Sequence, residues 1–271
     1  MTKIDKKIIN NHTKKYPVFY VFLCFFVFFY VFFGKNGQFL SPLDEKVKNE
    51  AFSPGEELFY KISYGKKNKA RGVISAGHAK LSVKTDSVNN YIFEASGQTT
   101  KLFSLFMKVQ HNYTSLVDPK TMNSIWSKMD ITEGEHSNND SIRFSAETFP
   151  ELSEINDLLS IAYRLRTADE KTVREADTLF FSYYYNGQVF PSYIIQLGKD
   201  IIKTRFGKIH ATKWSPRLEK GRIFRDTTGA AVWIAPGPMH IPLKIELPIL
   251  VGSIYATLTS HKGTLSNLSD N

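Results

Sequence analysis

The chain has 271 residues, of which 42% are hydrophobic and 23% charged, with one cysteine and a formal charge of +9. This composition excludes a disordered, collagen-like or disulfide-built protein and is typical of a globular domain. The excess positive charge is thinly spread, and after residue 50 the longest basic run is the pair Lys66–Lys67. Because nucleic-acid binders concentrate their cations on one face, we expect no nucleic-acid partner.

The longest apolar stretch lies near the N-terminus. Tyr16–Phe33 contains eighteen uncharged residues, eight of them Phe. As a helix rising ~1.5 Å per residue it would span about 27 Å, close to the ~30 Å hydrocarbon core of a bilayer. Two interpretations stay open: an uncleaved signal anchor and a cleaved signal peptide. We favour the anchor, because Val31–Gly34 has no small residues at the spacing that signal peptidase requires.

The lysines around this segment predict its orientation and the domain order. Five lysines precede the segment and three follow it closely, so the positive-inside rule places residues 1–15 in the cytoplasm and exports the rest to the periplasm. Residues 34–53, with Gly, Pro and mixed charges, predict a linker. We expect a β-rich exported domain over residues 54–263 and a C-terminal tail over 264–271.

After Pro54 the sequence alternates with period two, which is typical of half-buried β-strands. The clearest hairpin joins Leu179–Tyr185 to Gln188–Leu197 through Asn186-Gly187, since both central positions of a type I′ turn need positive φ. Pro191 lacks a backbone donor, so its strand should be at an edge or bulged.

The alternating pattern continues to the end of the predicted domain, with one polar interruption. Glu133–Asp140 is polar and Asn-rich, and we expect a surface loop there. Further strands are predicted downstream of the hairpin: Ile201–Phe206, Ile209–Trp214, Gly221–Arg225, Ala231–Ile234, Leu243–Glu246 and Ser253–Ser260.

One segment has helical rather than strand periodicity. Apolar residues recur every three or four positions over residues 154–167, and Ser153 is placed to cap the helix. About a dozen strands exceed what a flat sheet holds comfortably. We therefore predict a mainly β fold in which a strongly curved antiparallel sheet, a half-barrel or open barrel, packs on this one main helix. A ligand would occupy spare apolar volume between the helix and the sheet.

Catalytic and metal-binding motifs are missing from the sequence. No two His residues have the four-residue helical spacing of a zinc site, and neither a G-x-S-x-G elbow nor a phosphate-binding Gly loop occurs. We identify no catalytic residue, metal ligand or cofactor, and we expect no enzymatic activity. The acidic residues Glu56, Glu57, Glu133 and Glu135 fall at strand starts and in a loop, where we expect solvated side chains.

Several segments in order resemble the exported bacterial domain-of-unknown-function 3108 family, over about residues 52–263. The segments that carry the resemblance are Pro54–Gly65, Asp157–Arg166, Ile202–Lys208, Ala231–Ile234, Ile241–Ile245 and Gly252–Leu258. The resemblance implies an envelope protein whose curved antiparallel sheet is similar to the half-barrel of periplasmic lipoprotein carriers. It implies no reaction, so the function it suggests is an analogy of fold.

Our leading hypothesis is a non-enzymatic binding module on the outer face of the cytoplasmic membrane. Its partner would be a lipid, an acyl chain or a lipoprotein segment, because 26 aromatic residues outside Tyr16–Phe33 supply more rings than turns and surface need. The candidate ligand-binding residues are Tyr163, Arg166, Lys203 and Trp233. The alternative for Arg166 is that it pairs with a surface acid. Two other functions stay open: docking on another envelope protein, and hydrolysis of an envelope glycan or lipid.

Overall fold

The computed structural model describes residues 48–65, 74–145, 147–149, 155–168, 177–218, 227–266 and 268. The predicted membrane segment Tyr16–Phe33, the predicted cap Ser153 and the predicted strand Gly221–Arg225 lie outside the described residues. None of the helices in the described part has the length and apolar character needed to cross a membrane.

The described residues form thirteen strands and two helices. The strands are β1 (Glu57–Gly65), β2 (Ile74–Thr85), β3 (Tyr91–Thr99), β4 (Val109–Val117), β5 (Ser124–Glu133), β6 (His136–Arg143), β7 (Asn156–Asp157), β8 (Thr178–Tyr185), β9 (Gln188–Thr204), β10 (Gly207–Pro216), β11 (Ala231–Ile234), β12 (Pro242–Pro248) and β13 (Ser253–Lys262). The helices are α1 (Lys101–Ser104) and α2 (Leu158–Arg166). The prediction of a mainly β protein is therefore confirmed.

All thirteen strands belong to one open, unclosed sheet. Its order is β6-β5-β4-β3-β2-β1-β13-β12-β11-β10-β9-β8-β7, and every neighbouring pair is antiparallel except the short parallel pair β7–β8. The chain therefore runs as a meander from β1 outwards to β6, and the second half meanders back to place β13 beside β1. This pairing joins the two ends of the described domain at the centre of the sheet.

The two ends of the sheet meet through side chains. Tyr184 on β8 donates a hydrogen bond to Asp140 on β6 over 3.0 Å, and the Asn138 amide donates to Asn186 over 3.2 Å. Thirteen strands spaced ~4.8 Å apart would be about 60 Å wide if flat. The contact between β6 and β8 therefore requires the sheet to bend back on itself, with α2 on its inner side.

The predicted hairpin is confirmed. β8 and β9 pair from Tyr185 and Gln188 outwards, and both turn residues have positive φ, 45° at Asn186 and 84° at Gly187. Among the described residues, Pro191 pairs with β8 only, since β10 ends opposite Ile194, and the proline there lies at a local edge of the sheet, as expected.

Two predictions of secondary structure are wrong. Glu133–Asp140 is not a loop: β5 runs to Glu133, and β6 begins at His136 after a two-residue turn. β6 is an edge strand with largely exposed side chains, and it forms its ladder with β5 without an alternating pattern of apolar residues. The main helix is also shorter than 154–167, since α2 begins at Leu158 and its cap is Asp157.

The packed body extends beyond the predicted domain bounds. Ala51 and Phe52, at the end of the predicted linker, are buried in the core, and so is Leu268 in the predicted tail. The Phe52 ring packs edge-on against Tyr163 and Phe93, whose own rings stack with centroids 4.0 Å apart. These aromatic contacts fix the chain entry beneath α2.

Candidate functional site

An apolar cavity of about 240 Å³ lies between α2 and the inner face of the sheet. The helix contributes Leu158, Leu159 and Leu165 to its lining, and the sheet contributes Val232 and Ile245 among others. The spare volume predicted between the helix and the sheet is therefore present.

The register of β11 explains why the lining is apolar. Val232 and Ile234 line the cavity, so the residue between them points to the other face of the sheet.

Ala162 also lines the cavity, and it is the one lining position on α2 that is exposed. A side chain enlarged at Ala162 would thus enter the cavity from the solvent side.

Two polar side chains that line the cavity, Tyr60 and His240, form hydrogen bonds within the protein. Tyr60 donates a hydrogen bond to the Pro242 carbonyl over 2.9 Å, and burial raises the pKa of its hydroxyl far above the usual value. The His240 ring donates from Nδ1 to the Arg166 carbonyl over 2.6 Å, because a carbonyl oxygen only accepts. These contacts leave a mainly hydrocarbon surface facing the cavity.

A buried network holds the N-terminal end of α2. Asp157 accepts hydrogen bonds from the backbone N–H groups of Leu159 and Ser160, which caps the helix. Its two oxygens also accept from Ser115 over 2.6 Å and from Ser124 over 2.7 Å. The helix is thereby tied to β4 and β5 by one buried carboxylate.

A buried ion pair holds the C-terminal end of α2. Arg166 donates to both oxygens of Glu56 over 2.7 and 2.9 Å, and also to the carbonyl groups of Ala51 and Met239. Burial by itself lowers the pKa of this guanidinium, but the hydrogen bonds and charge of Glu56 outweigh it and leave the pKa raised. The Arg166 guanidinium also lies 5.3 Å from the Phe52 ring centroid and 5.2 Å from that of Tyr163.

The structure brings together two of the four predicted ligand-binding residues. Tyr163 and Arg166 are neighbours on α2, although Tyr163 packs in the aromatic core and only Arg166 borders the cavity. Lys203 is exposed on β9. Trp233 faces away from the cavity, where its ring lies beneath Lys244 and its Nε1 donates to Asp200. The four residues do not form one site.

The sequence does not identify the residues that line the cavity. Leucine and valine at alternating strand positions look the same whether they fill a core or border a void, so no local signal distinguishes them. The expectation that Glu56 and Glu133 are solvated is wrong. Glu56 is fully buried against Arg166, and Glu133 is buried with its Oε1 2.9 Å from His111 Nε2.

These features define a mainly β protein with one open sheet and an apolar cavity between the helix α2 and the sheet. The chain belongs to DUF3108, a family described as a protein of unknown function, whose model matches residues 60–259. The resemblance identified from the sequence is thus confirmed. No curated protein matches the chain.

Three solved structures are similar to the chain at low identity. A β-barrel-like protein of DUF1849 from Brucella abortus is 8% identical, with a TM-score of 0.45, covering 80% of this chain and 99% of that one. A putative exported protein with a YmcC-like fold from Bacteroides fragilis is 10% identical, with a TM-score of 0.28 and coverages of 78% and 97%. A DUF1329 family protein from Desulfovibrio piger is 9% identical, with a TM-score of 0.30 and coverages of 78% and 86%.

Proposed function

We propose that this protein is a non-enzymatic binding module that holds one acyl chain, of a lipid or a lipoprotein, in the cavity between α2 and the sheet. The observation that supports this most is the cavity's volume of about 240 Å³ with its hydrocarbon lining. An apolar cavity of about 150 Å³ already takes up benzene, whereas drug-sized ligands occupy about 300–1,000 Å³. The available space suits a single slender apolar group.

The apolar lining of the cavity supports the same proposal. The cavity is open to solvent on the side of Ala162, so without a ligand its hydrocarbon surface is in contact with water. An apolar ligand would recover free energy by removing this surface from water, at about 25 cal/mol per Å².

A photoactivatable fatty acid bearing a diazirine on its chain tests this function on the full chain in lipid vesicles. After irradiation and digestion, we expect adducts on α2 and on cavity-lining strands such as β11. Mapping the adducts by mass spectrometry separates the cavity from the apolar segment Tyr16–Phe33, which would also meet the probe.

The matched variants are Ala162→Trp, which fills the cavity, and Ser96→Trp, which adds the same ring to an exposed position on β3. Displacing two methylenes of the ligand at about 0.8 kcal/mol each lowers cavity labelling about tenfold in Ala162→Trp. Ser96→Trp should label like the unaltered protein. Equal labelling of the cavity in both variants would contradict the proposal.

We also propose that Tyr16–Phe33 anchors the protein in the cytoplasmic membrane with the β-rich domain outside. The support is the length of the apolar run and the lysines before it. Protease added to intact spheroplasts should digest the domain while leaving the first residues membrane-bound. Cleavage of the leader would appear instead as a mature protein whose mass lacks the N-terminal residues.

A further inference from the structure

Large apolar side chains are exposed together at one end of the sheet. Among the described residues, Leu105 is 80% exposed, Phe106 76% and Leu102 69%, all in or directly after α1. Ile74 at the start of β2 and the turn residues Leu250 and Val251 before β13 are also exposed. We call these six residues the apolar rim: Ile74, Leu102, Leu105, Phe106, Leu250 and Val251.

Hydrogen bonds and strand pairing place the segments of the apolar rim next to one another. The N–H of Thr100 donates to the Ala76 carbonyl over 3.0 Å, which places α1 beside the start of β2. Ile74 pairs with Tyr64 at the end of β1, and the Tyr64 hydroxyl donates to the Val251 carbonyl over 3.0 Å. The rim therefore runs from α1 across β2 and β1 to the turn before β13.

Local packing holds the exposed side chains of α1 outwards. Thr100 caps the helix by accepting a hydrogen bond from the N–H of Phe103. Phe103 and Met107 are buried in the core, so the inward positions of this short segment are already occupied. Leu102, Leu105 and Phe106 are consequently fixed in solvent, although burying each would gain about 1.5–3 kcal/mol. Large apolar side chains exposed on neighbouring segments in this way are typical of an interaction surface.

The charges beside the patch indicate its partner. Lys101 and Lys108 flank the exposed apolar residues, and no acid occurs from residue 95 to residue 117. The adjoining β5–β6 turn adds one exposed acid, Glu135, so the local charge stays positive. Lysines that border Leu and Phe place their ammonium groups among lipid head groups while the apolar side chains enter the acyl boundary.

We propose that the apolar rim docks on the surface of an anionic lipid bilayer. A protein partner would need a complementary surface of about 800 Å² per side. A bilayer requires no such matching, and it accommodates single protruding side chains. Each lysine near an anionic surface adds about 1 kcal/mol of attraction. This surface function is independent of the cavity and of the ligand proposed for it.

The test uses the full chain with Cys24→Ser, which removes the only cysteine, and one new cysteine labelled with the environment-sensitive dye NBD. Leu105→Cys places the dye on the rim. Val88→Cys is the matched control, since Val88 is exposed in the β2–β3 turn at the other end of β2, about 40 Å away. Both proteins are reconstituted in phosphatidylglycerol and phosphatidylethanolamine vesicles that contain a spin-labelled quencher lipid.

We expect a blue shift and strong quenching of the dye at position 105 and neither effect at position 88. Adding Lys101→Glu and Lys108→Glu, or replacing phosphatidylglycerol by phosphatidylcholine, should reduce the quenching at position 105. Circular dichroism confirms that each variant is folded. Equal, water-like emission at both positions overturns the proposal. So does a discrete protein adduct from a photo-cross-linker at position 105 in intact cells without lipid quenching, which would assign the rim to a protein partner.

Discussion

Arg166 and Glu56 form a charged pair within an apolar interior. Glu56 is fully buried and the Arg166 side chain is 6% exposed, and five hydrogen bonds join the guanidinium to Glu56 and to the carbonyl groups of Ala51 and Met239. Removing two ions from water costs several kcal/mol each, and bidentate geometry with further carbonyl partners offsets this cost. The pair joins the C-terminal end of α2 to the strand entry before β1. It therefore fixes one border of the cavity.

Breaking this pair from either side should destabilise the fold strongly. Glu56→Gln leaves a buried cation uncompensated, and Arg166→Met leaves a buried carboxylate, so we expect each to lower the free energy of unfolding by about 3–5 kcal/mol. The double variant should lose clearly less than the sum of the two, because neither charge is then stranded. Urea unfolding followed by circular dichroism measures all three values.

An exposed ion pair provides the control for this cycle. Glu94 on β3 lies 2.6 Å from Lys84 on β2, and their side chains are 38% and 59% exposed. Glu94→Gln should change the free energy of unfolding by about 1 kcal/mol or less. Two results would contradict this expectation: additive losses of unfolding free energy in the Glu56 and Arg166 variants, or losses as small as that of Glu94→Gln. Either would show that the buried pair contributes no more to stability than the exposed one.

The sequence predicts the burial of individual residues less well than any other property. Glu56 and Glu57 are adjacent and chemically identical, yet Glu56 faces Arg166 in the core and Glu57 pairs with Lys80 at the surface. The difference arises from the entry of the chain beneath α2, which depends on contacts more than 100 residues apart. Local periodicity contains no information about such a distant partner.

At the scale of elements, α2 depends on its N-cap residue Asp157 as well as on its amphipathic pattern. The helix has only nine residues, which is too short to be stable by itself in water. Asp157 supplies the cap and also accepts from Ser115 and Ser124, so one carboxylate links helix formation to docking on the sheet. The position of the cavity follows from this link.

Asp157→Ala should therefore cost more than an ordinary helix cap. Losing the cap costs about 1 kcal/mol, and each buried serine hydroxyl left without its acceptor adds about 1–3 kcal/mol. We expect a loss of about 3–5 kcal/mol in the free energy of unfolding, measured in urea.

Thr100→Ala, which removes the cap of α1, is the matched control for Asp157→Ala. Thr100 contributes only the cap hydrogen bond to Phe103, so the expected loss is about 1 kcal/mol. Similar losses for the two substitutions would mean that the serine contacts of Asp157 contribute nothing to stability.

The sequence predicts an element where local residue preferences determine its conformation. It does not predict an element whose conformation depends on pairing with a neighbouring strand. The Asn186-Gly187 turn was identified because positive φ at both positions restricts the choice of residues. β6 was missed because its hydrogen bonds to β5, rather than any apolar pattern, make it a strand. The predicted start of α2 is too early because the apolar pattern with helical spacing extends to the N-terminal side of Asp157, which caps the helix.

At the scale of the molecule, the sheet buries several tyrosines whose hydroxyl groups stay protonated at pH values where exposed tyrosines ionise. Burial raises the pKa of Tyr60 and Tyr163, in each case with a smaller opposing effect of the Arg166 charge. Burial also raises the pKa of Tyr113 on β4 well above its usual value. All three rings lie on or beneath the inner face of the sheet. The folded state therefore holds three protons that the unfolded chain releases near pH 10.

This difference predicts cooperative unfolding in alkali. A group whose pKa is raised by folding contributes stability that is complete below its unfolded pKa and declines as the pH rises towards the folded value. Above pH 10 the folded state binds about three more protons than the unfolded state, so the free energy of unfolding falls by about 4 kcal/mol per pH unit. For a domain stable by about 5–15 kcal/mol, unfolding is expected within roughly one to four pH units above 10.

Absorbance at 295 nm measures the ionisation of tyrosine, and far-ultraviolet circular dichroism measures the loss of the strands. We expect part of the absorbance to appear early, from accessible tyrosines, and the rest to appear in the same narrow pH range in which the strand signal is lost. Tyr163→Phe removes one of the three retained protons, and the dependence of stability on pH above 10 should become about one third less steep. If all thirteen tyrosines ionised near pH 10 while the strand signal persisted, the inner face of the sheet would have to be open to water.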